Sequence, residues 1–407
     1  MSLQASSKLK VAYITTSFSS LSHTFIRREI EALRVQGVEI GLFGVRRDRS
    51  AIDWDSKTFF LYPISIKQII FSLVKVILKK PKGFRNGLIA AVFNEELNPY
   101  QHLKLIYHFF ISLPHAERMI RDGYSHIHAH FINVPATIAM YCSIISDIPF
   151  SFTCHSAGEI GLREVIGVRQ KFRKASFVRL ISNFLKTDLA DYLKNTKNVH
   201  VIRCGLDFSG YELRKNTEAM PTYKILAIGR LVEKKGFIYL IEALGVLKKE
   251  GFNFVLQIVG EGPLLGKLKS LAEERQISKD VRFLLKRTSD EVETILSLAD
   301  VLVVPSVTAE TGEKEGLPTV IVEAMRACTP VVASEHSGIP EIVINRETGL
   351  LVSEKDNSQL ANAIKEILTN QGLKETLVRN AFFRARDDFD AKKINNSLIA
   401  LFSKASI

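Results

Sequence analysis

Short apolar segments alternate with longer amphipathic segments along the whole chain. The pattern begins with an apolar run at residues 9–14, a helical periodicity at residues 23–36 and a second apolar run at residues 38–43. The apolar runs have the length of strands, and the segments between them have the length of helices. Regular β-α-β alternation predicts a parallel sheet with helices on both faces.

The alternation forms two series. Residues 207–222 contain Pro221 and few large apolar residues, which is typical of a connection between domains. We therefore predict two doubly wound α/β domains, residues 8–207 and 208–385. Ligands of such sheets bind at the carboxyl ends of the strands, so two facing domains predict a deep interdomain cleft. Further strands are predicted at residues 126–129, 150–153, 199–202, 224–228, 253–259, 281–284, 301–304 and 330–333, and further helices at 236–249, 263–275, 290–299 and 318–327.

Positive charge is concentrated in the first half of the chain. Residues 1–207 contain 28 Lys and Arg against 16 Asp and Glu, whereas residues 208–407 contain 27 of each. A one-sided basic field attracts anionic partners, and charge alone leaves nucleic acid, anionic lipid and a phosphorylated acceptor as alternatives. The four cysteines form no Cys-x-x-Cys pair, and the N-terminal residues lack the layout of a signal peptide. These features predict a cytoplasmic protein with reduced thiols.

The longest apolar stretch lies at residues 64–78. Lys67 and Lys75 interrupt it, and it is too short to cross a bilayer as a helix. Residues 79–85 then add three lysines and an arginine. Clustered positive charge beside an apolar face is typical of a helix that lies on an anionic membrane surface. A core-packed helix followed by a solvated basic loop explains the pattern equally well, so both interpretations stay open.

A motif of glycine and basic residues directly follows the predicted strand 224–228. Gly229 allows close approach of a ligand to the backbone, Arg230 offers a planar fork of donors, and Lys235 adds a point charge. Together these groups match a diphosphate. The alternative is that Lys234 and Lys235 are solvated residues at the start of a helix and bind no ligand.

A second motif surrounds the predicted start of helix 318–327. Pro318 suits the first position of a helix, whose free backbone N–H groups form an anion site. Glu323 shares a helix face with Thr319, and its carboxylate can accept hydrogen bonds from vicinal hydroxyls such as those of ribose. Glu315 precedes the helix, where it can hold hydroxyls of a sugar beyond the phosphates. Stabilisation of the helix dipole is the alternative, and it explains Glu315 better than Glu323.

These motifs resemble those of the retaining glycosyltransferases of family 4, which have the GT-B fold. The matching positions in the second half are Gly229, Arg230, Lys235, Glu315, Glu323 and residues 259–263, 337–341 and 348–352. The matching positions in the first half, where the similarity is looser, are residues 22–30, 128–131 and 151–155. The first-half segments look most like the branch that builds bacterial exopolysaccharides such as colanic acid.

The resemblance implies roles for individual residues. Arg230 and Lys235 would bind the donor diphosphate, Glu323 the ribose and Glu315 the transferred sugar. His155 would lie beside that sugar at the reacting centre, although a lone histidine at a strand end is otherwise more often structural. The implied catalytic residues are His155, Glu315, Arg230 and Lys235. The implied donor-binding residues are Arg230, Lys235, Gly262, Leu284, Leu317, Pro318, Thr319 and Glu323, with Gly262 and Leu284 near the base.

The resemblance also extends to the C-terminus. A helical pattern covers residues 375–403, and in relatives the last helix crosses back onto the N-terminal domain, which we expect here for residues 386–407. Two departures occur: residues 17–22 lack the Gly-Gly pair of many relatives, which affects the acceptor geometry, and Ser337 replaces a glycine. Neither an Asp-x-Asp pair nor a His/Cys cluster occurs at the predicted cleft, so we expect no catalytic metal.

The resemblance implies a hexosyltransferase that uses a nucleotide-diphosphate sugar and no further cofactor. The sequence does not identify the base, and we expect UDP to be preferred over GDP. The implied enzyme retains the anomeric configuration, and the departing phosphate accepts the proton of the acceptor. The expected acceptor is a lipid-linked or growing polysaccharide, at an anionic inner membrane surface that the N-terminal domain contacts. An epimerase of the same fold is one alternative. A nucleic-acid-binding protein is another, supported by charge alone because no RNP strand, zinc-finger spacing or helix-turn-helix signature occurs. We expect no nucleic-acid partner.

Overall fold

The computed structural model describes residues 9–18, 23–47, 58–93, 98–156, 158, 165–194, 196, 198–214 and 222–406. The chain divides into two compact units. The first is Met1–Gly205 with Lys392–Ile407, and the second is Leu206–Ala391. Each unit is built around its own parallel sheet, which confirms the doubly wound α/β prediction.

The first unit alternates strands and helices. Its elements are β1 (Lys10–Thr15), α1 (Thr24–Val35), β2 (Glu39–Arg46), β3 (Phe59–Tyr62), α2 (Ile66–Lys79), α3 (Pro81–Val92), α4 (Pro99–Arg121), β4 (His126–His130), α5 (Val134–Ser146), β5 (Phe150–Cys154), α6 (Val168–Lys174), β6 (Phe177–Leu180), α7 (Asn183–Asp188), α8 (Ala190–Leu193) and β7 (Val199–Val201). Within the described ranges, the seven strands form one sheet in the order β3-β2-β1-β4-β5-β6-β7.

Strands at the centre of this sheet are buried on both faces. Every residue of β4 and β5 is buried, as expected where helices cover a parallel sheet on both sides. The pairing is in register along β1, where Val11 lies opposite Ile40 of β2 and His126 of β4. The last helix, α15 (Ala391–Ala405), completes this core because Leu398 and Phe402 pack against it.

The second unit repeats the architecture. Its elements are β8 (Tyr223–Ile228), α9 (Phe237–Lys249), β9 (Phe254–Val259), α10 (Leu265–Glu274), β10 (Val281–Leu284), α11 (Ser289–Ser297), β11 (Val301–Val304), α12 (Thr319–Arg326), β12 (Val331–Ser334), β13 (Leu350–Val352), α13 (Asn357–Thr369) and α14 (Gln371–Asp388). Among its described residues, six parallel strands form one sheet in the order β10-β9-β8-β11-β12-β13. The bounds of β10 and β11 agree with the sequence prediction, whereas β3, β6 and β13 were not predicted.

The stretch predicted as a connection between domains is partly packed. Residues 206–214 belong to the second unit rather than to a free connection. Phe208 is buried there, and the centroid of its ring lies 6.3 Å from that of Phe382 in α14. The remainder of the predicted connection, residues 215–221, lies outside the described residues.

The helical pattern predicted over residues 375–403 is divided between two helices. α14 ends at Asp388, and α15 begins at Ala391. The backbone N–H of Leu206 donates to the carbonyl of Phe389 at 2.8 Å, and the N–H of Ala391 donates to the carbonyl of Leu206 at 3.0 Å. These bonds take up backbone groups that a continuous helix uses internally, so the helix breaks at this point.

Residues 64–85 fold as α2 and the start of α3. Ser72 and Val76 of α2 are buried, but the other side of this helix carries apolar side chains that are exposed. The exposed apolar residues of α2 are Ile66, Ile70, Phe71, Val74, Ile77 and Leu78. A helix packed wholly in the core is therefore excluded. None of the helices in the described ranges combines the length and the apolar character that a membrane crossing requires.

Candidate functional site

The predicted donor-binding residues of the second unit follow strands that are neighbours in its sheet. Arg230 and Lys235 follow β8, Gly262 follows β9, Leu284 ends β10, and Glu315 follows β11. All these strands are parallel, so their carboxyl ends lie on one edge of the sheet. This edge is where ligands of doubly wound sheets bind.

The loops at this edge are in direct backbone contact. The N–H of Leu231 donates to the carbonyl of Glu261 at 2.9 Å, and the N–H of Gly260 donates to the carbonyl of Leu284 at 3.0 Å. A Cβ atom on Gly262 would lie only 2.5 Å from the carbonyl oxygen of Leu231. A glycine is therefore needed at position 262 for the two loops to approach each other this closely.

The lysines of the first motif are held in ion pairs. Nζ of Lys235 lies 2.5 Å from Oε2 of Glu315, and Nζ of Lys234 lies 2.6 Å from Oε1 of Glu313. Lys234 is buried, which excludes a solvated helix start, whereas the side chain of Arg230 is exposed. Gly236 follows with φ 65°, and a Cβ there would lie 1.7 Å from the carbonyl oxygen of Pro305.

The carboxyl group of Glu315 is ionised in this setting. Burial opposes its ionisation, but the nearby ammonium groups of Lys235 and Lys234 outweigh the burial and lower its pKa below the ordinary value. The edge of the sheet thus presents a carboxylate against a cation. When a ligand enters, this ion pair can open, so that Lys235 binds a phosphate and Glu315 binds sugar hydroxyls.

The helix of the second motif begins one residue later than predicted. α12 begins at Thr319, and Pro318 is its N-cap residue with extended backbone (φ −73°, ψ 100°), so the prediction of Pro318 as the first helical residue is wrong. Leu317 and Pro318 are buried. The hydroxyl of Thr319 donates to Oε1 of Glu323 at 3.4 Å, which confirms that the two residues share a helix face.

His155 lies in the first unit, directly after β5. Its Nε2 is 3.0 Å from Nδ1 of His130, and the two imidazole rings are stacked with centroids 5.3 Å apart. Burial, reinforced by His130 and Arg179, lowers the pKa of His155 well below the ordinary value, so its imidazole is neutral at pH 7. Its role beside the transferred sugar stays a prediction.

A buried ion pair that the sequence analysis missed lies behind His130. Nη1 of Arg179 in β6 donates to Oε2 of Glu29 in α1, and the hydroxyl of Tyr13 donates to Oε1 of Glu29 at 3.0 Å. Nε2 of His130 lies 3.4 Å from the same oxygen. Burial opposes ionisation of Glu29, but the guanidinium of Arg179 holds the pKa of this carboxyl well below its ordinary value. The pair is therefore charged at neutral pH.

The same cluster contains atoms that are typical metal ligands. Ligand atoms of Glu29, His128 and His130 lie within 4.8 Å of one another. Both ring nitrogens of His128 contact hydroxyl groups, Oγ of Ser151 at 2.7 Å and Oγ1 of Thr153 at 2.9 Å. Because Arg179 already balances the carboxylate, the donor set fits an ion-pair network better than a metal centre.

Local sequence signals for this network exist. In α1 the buried positions are Ile26, Glu29, Ile30 and Leu33, so Glu29 is a charged residue on an apolar face. Arg179 likewise stands inside the buried strand β6. A charge at an inward position predicts an oppositely charged partner. Of the departure predicted at residues 17–22, residues 19–22 lie outside the described residues.

Comparison with known proteins gives each unit a family. Glycosyltransferase Family 4 matches residues 23–209, and Glycosyl transferases group 1 matches residues 211–383. WcaL of Escherichia coli, named for colanic acid biosynthesis, is 33% identical over 251 residues, which cover 60% of this chain and 61% of WcaL. The amylovoran biosynthesis glycosyltransferase AmsK of Erwinia amylovora is 35% identical over 165 residues, or 40% of each chain. The match thus spans about three fifths of WcaL and less of AmsK.

The fold comparison covers nearly the whole chain. The structure of HepE from Anabaena in complex with UDP-glucose superimposes with a TM-score of 0.71 at 18% identity, covering 97% of this chain and 100% of HepE. Two Rossmann-like parallel-sheet domains of this kind define the GT-B fold. The chain belongs to the glycosyltransferases that combine a family 4 domain with a group 1 domain, which confirms the family resemblance.

Proposed function

We propose that the chain transfers a hexose from a nucleotide-diphosphate sugar to a lipid-linked or growing polysaccharide, with retention of configuration. The observation that carries this proposal is the ion pair of Lys235 and Glu315 at the carboxyl edge of the second sheet. It offers a cation for the diphosphate and a carboxylate for the sugar. The names of WcaL and AmsK support an exopolysaccharide as the product, and the UDP-glucose bound in HepE supports a UDP-sugar as the donor.

The proposed chemistry needs charge neutralisation at the leaving group. The bond between the anomeric carbon and the diphosphate oxygen breaks, and its electron pair stays on that oxygen. Lys235 and Arg230 stabilise the resulting charge, so the proposed reaction uses no metal. The acceptor hydroxyl oxygen bonds to the anomeric carbon on the face that the diphosphate leaves, and the hydroxyl proton passes to the departing phosphate.

Nucleotide binding tests the donor site. We expect UDP to raise the melting temperature more than GDP or ADP does. A ligand that binds only the folded state adds about 2.7 kcal/mol of stability at a concentration 100 times its Kd, so at equal concentrations the nucleotide that binds most tightly gives the largest rise. Differential scanning fluorimetry with the three nucleotides measures this order. If none of the three shifts the melting temperature, the proposed donor site is wrong.

Product analysis separates transfer from epimerisation. UDP-glucose incubated without an acceptor is expected to remain UDP-glucose, apart from slow hydrolysis. Rapid formation of an epimer, detected by chromatography of the nucleotide sugars, would instead establish the epimerase alternative.

We further propose that the first unit docks on an anionic membrane through the exposed face of α2. Ile66 and Leu78, near opposite ends of the helix, are 75% and 76% exposed, and Phe71 between them is 60% exposed. Apolar side chains of this size on one face of a surface helix match the boundary between lipid headgroups and acyl chains.

The positive charge around α2 favours an anionic lipid surface as the partner. Residues 58–94 contain six lysine and arginine residues and no Asp or Glu. Lys79 is exposed at the end of α2, and Lys82 is exposed in α3. A basic apolar helix gains both apolar burial and electrostatic attraction on such a membrane, whereas a protein partner has no comparable support in this charge pattern.

Vesicle binding tests this surface. We expect the protein to sediment with vesicles of phosphatidylglycerol and phosphatidylcholine and to bind pure phosphatidylcholine vesicles more weakly. Replacing Ile70, Phe71 and Leu78 together by serine should weaken binding by more than about 100-fold, because each apolar side chain contributes about 1.5–3 kcal/mol on burial. Sedimentation at several lipid concentrations measures the loss.

A matched control lies in the same unit. Val35 of α1 is 88% exposed, and Val35→Ser should leave vesicle binding unchanged. Equal binding by the triple variant and the wild type would exclude α2 as the membrane contact. A wild-type dimer that the triple substitution dissociates would instead assign this face to a second copy of the chain.

A further inference from the structure

The segment that follows β11 connects the loop of the donor ion pair to the end of β13. The N–H of Val307 donates to the carbonyl of Lys234, the residue before Lys235, at 3.0 Å. One residue later, the N–H of Thr308 donates to Oε2 of Glu354 at 2.7 Å. Glu354 follows β13, whose neighbour in the sheet is β12. The carboxyl edge of the second sheet is therefore continuous from the proposed diphosphate site to these two strands.

A buried histidine lies at the end of β12. Nδ1 of His336 is 3.1 Å from the same oxygen of Glu354 that the Thr308 N–H contacts. A carboxylate oxygen only accepts hydrogen bonds, so Nδ1 carries the hydrogen and Nε2 is left as an acceptor. Burial lowers the pKa of His336 below the ordinary value, although the carboxylates of Glu354 and Glu315 oppose this effect. The imidazole is therefore neutral at pH 7.

Three polar side-chain atoms at this edge lack a hydrogen-bond partner within the part of the chain that the structure describes. They are Nε2 of His336, Oγ of Ser306 and Oγ of Ser337. His336 is only 6% exposed, and Ser306 is fully buried. Buried polar atoms are almost always paired, because an unpaired one is costly. Three of them after two neighbouring strands, β11 and β12, indicate a binding site for a polar ligand.

The backbone at Ser337 is strained. Its φ is 50°, a left-handed conformation that favours glycine. Glycine would adopt this conformation without strain, so the hydroxyl group is what serine adds at this position. Backbone strain persists only where the surroundings enforce it, and it concentrates at sites that hold ligands. The strain is thus a second observation, independent of the unpaired atoms, at the same edge.

We infer that His336, Ser306 and Ser337 form a subsite for hydroxyl groups of the transferred sugar. Nε2 of a neutral imidazole accepts a hydrogen bond, so its ligand has to supply a donor. Diphosphate and carboxylate groups offer acceptors alone, whereas a neutral hexose offers several hydroxyl donors. The serine hydroxyls can donate or accept around the same sugar. The inference rests on the proposed transferase function and narrows the donor to a nucleotide-linked neutral hexose rather than a uronic acid.

Calorimetric titration with UDP, UDP-glucose and UDP-galactose tests the subsite. His336→Phe keeps a ring but removes the acceptor, so it should weaken binding of the preferred hexose donor by about five- to tenfold and leave UDP binding unchanged. His336→Gln should retain most of the affinity, because its amide oxygen can replace Nε2 as the acceptor.

Two further comparisons do not depend on how the ring of residue 336 packs. Ser337→Gly removes the hydroxyl in a backbone conformation that glycine adopts freely, so it should weaken binding of the hexose donor without lowering the melting temperature. The wild type should bind UDP-glucuronic acid more weakly than UDP-glucose, because the uronate carboxylate brings no donor to Nε2. His336→Phe should reduce that difference.

The controls separate the subsite from the diphosphate site. Ser270 is an exposed serine of α10, and Ser270→Ala should bind all four ligands as the wild type does. If the wild type binds no UDP, the proposed donor site itself is wrong. If UDP binds but His336→Phe binds the hexose donors as tightly as the wild type, the subsite alone is overturned. An equal loss of UDP and hexose donors in His336→Phe would also overturn it, since His336 would then only support the loop.

Discussion

Replacing Glu29 by glutamine is expected to lower the free energy of unfolding by about 3–5 kcal/mol, because it leaves the guanidinium of Arg179 buried without its counter-charge. Arg179 is fully buried, and Glu29 is nearly so. Two carbonyl groups also accept hydrogen bonds from Arg179, those of Ile202 at 2.8 Å and Arg203 at 2.7 Å, so the guanidinium cannot move to solvent without breaking them. Urea denaturation followed by circular dichroism measures the change.

An exposed ion pair provides the control. Lys365 and Glu250 lie 2.6 Å apart with side chains about two fifths exposed, and Glu250→Gln should cost no more than about 1 kcal/mol.

The effect of Glu29→Gln also depends on pH. A carboxyl with a depressed folded pKa stabilises the protein above its unfolded pKa, near 4.5, and loses that contribution as the pH falls towards the folded pKa. The deficit of the variant should therefore shrink below about pH 4.5. A cost as small as that of Glu250→Gln would show that the buried pair is not coupled to stability.

Substitutions on the two sides of the donor ion pair are expected to have different effects. Lys235→Met should weaken UDP binding by about 10- to 100-fold, since a hydrogen bond to a charged group contributes about 1.5–3 kcal/mol. Glu315→Gln should leave UDP binding unchanged or make it tighter, because it removes a carboxylate from beside the diphosphate. It should nevertheless reduce sugar transfer. Calorimetric titration with UDP measures the binding step.

The difference between the two expected effects on UDP binding makes this pair of substitutions informative. Lys249 is an exposed lysine at the end of α9, and Lys249→Ala should bind UDP as the wild type does. A loss of general positive charge would affect both lysine variants alike. If Glu315→Gln weakens UDP binding as strongly as Lys235→Met, Glu315 supports the loop rather than the sugar.

Local patterns were sufficient for most of the second unit. β10 and β11 have the bounds that the sequence predicts, residues 281–284 and 301–304. The donor motifs could also be predicted from the sequence, because each follows a predicted strand and parallel strands bring such positions to one edge of the sheet. The one-residue error at Pro318 comes from the preference of proline for the first helical position, whereas the structure has Pro318 at the cap with a ψ of 100°.

The first unit shows what local patterns cannot supply. Glu29 and Arg179 are 150 residues apart in sequence, so each appears only as an unexplained charge in an apolar context until the fold joins them. The left-handed backbone of Phe131, with a φ of 76°, is likewise reported by no composition or periodicity. The sequence alone also could not show whether α2 is exposed, because an apolar helix has the same sequence whether a neighbour covers it or not.

The break between α14 and α15 has a consequence for biosynthesis. Leu398 and Phe402 belong to the same core as Val11 and Tyr13, so the first unit contains both early and late parts of the chain. A ribosome must complete the whole second unit before it makes the residues that close this core. The first unit therefore cannot close its core until the second unit has been synthesised, although domains usually fold in the order in which they emerge.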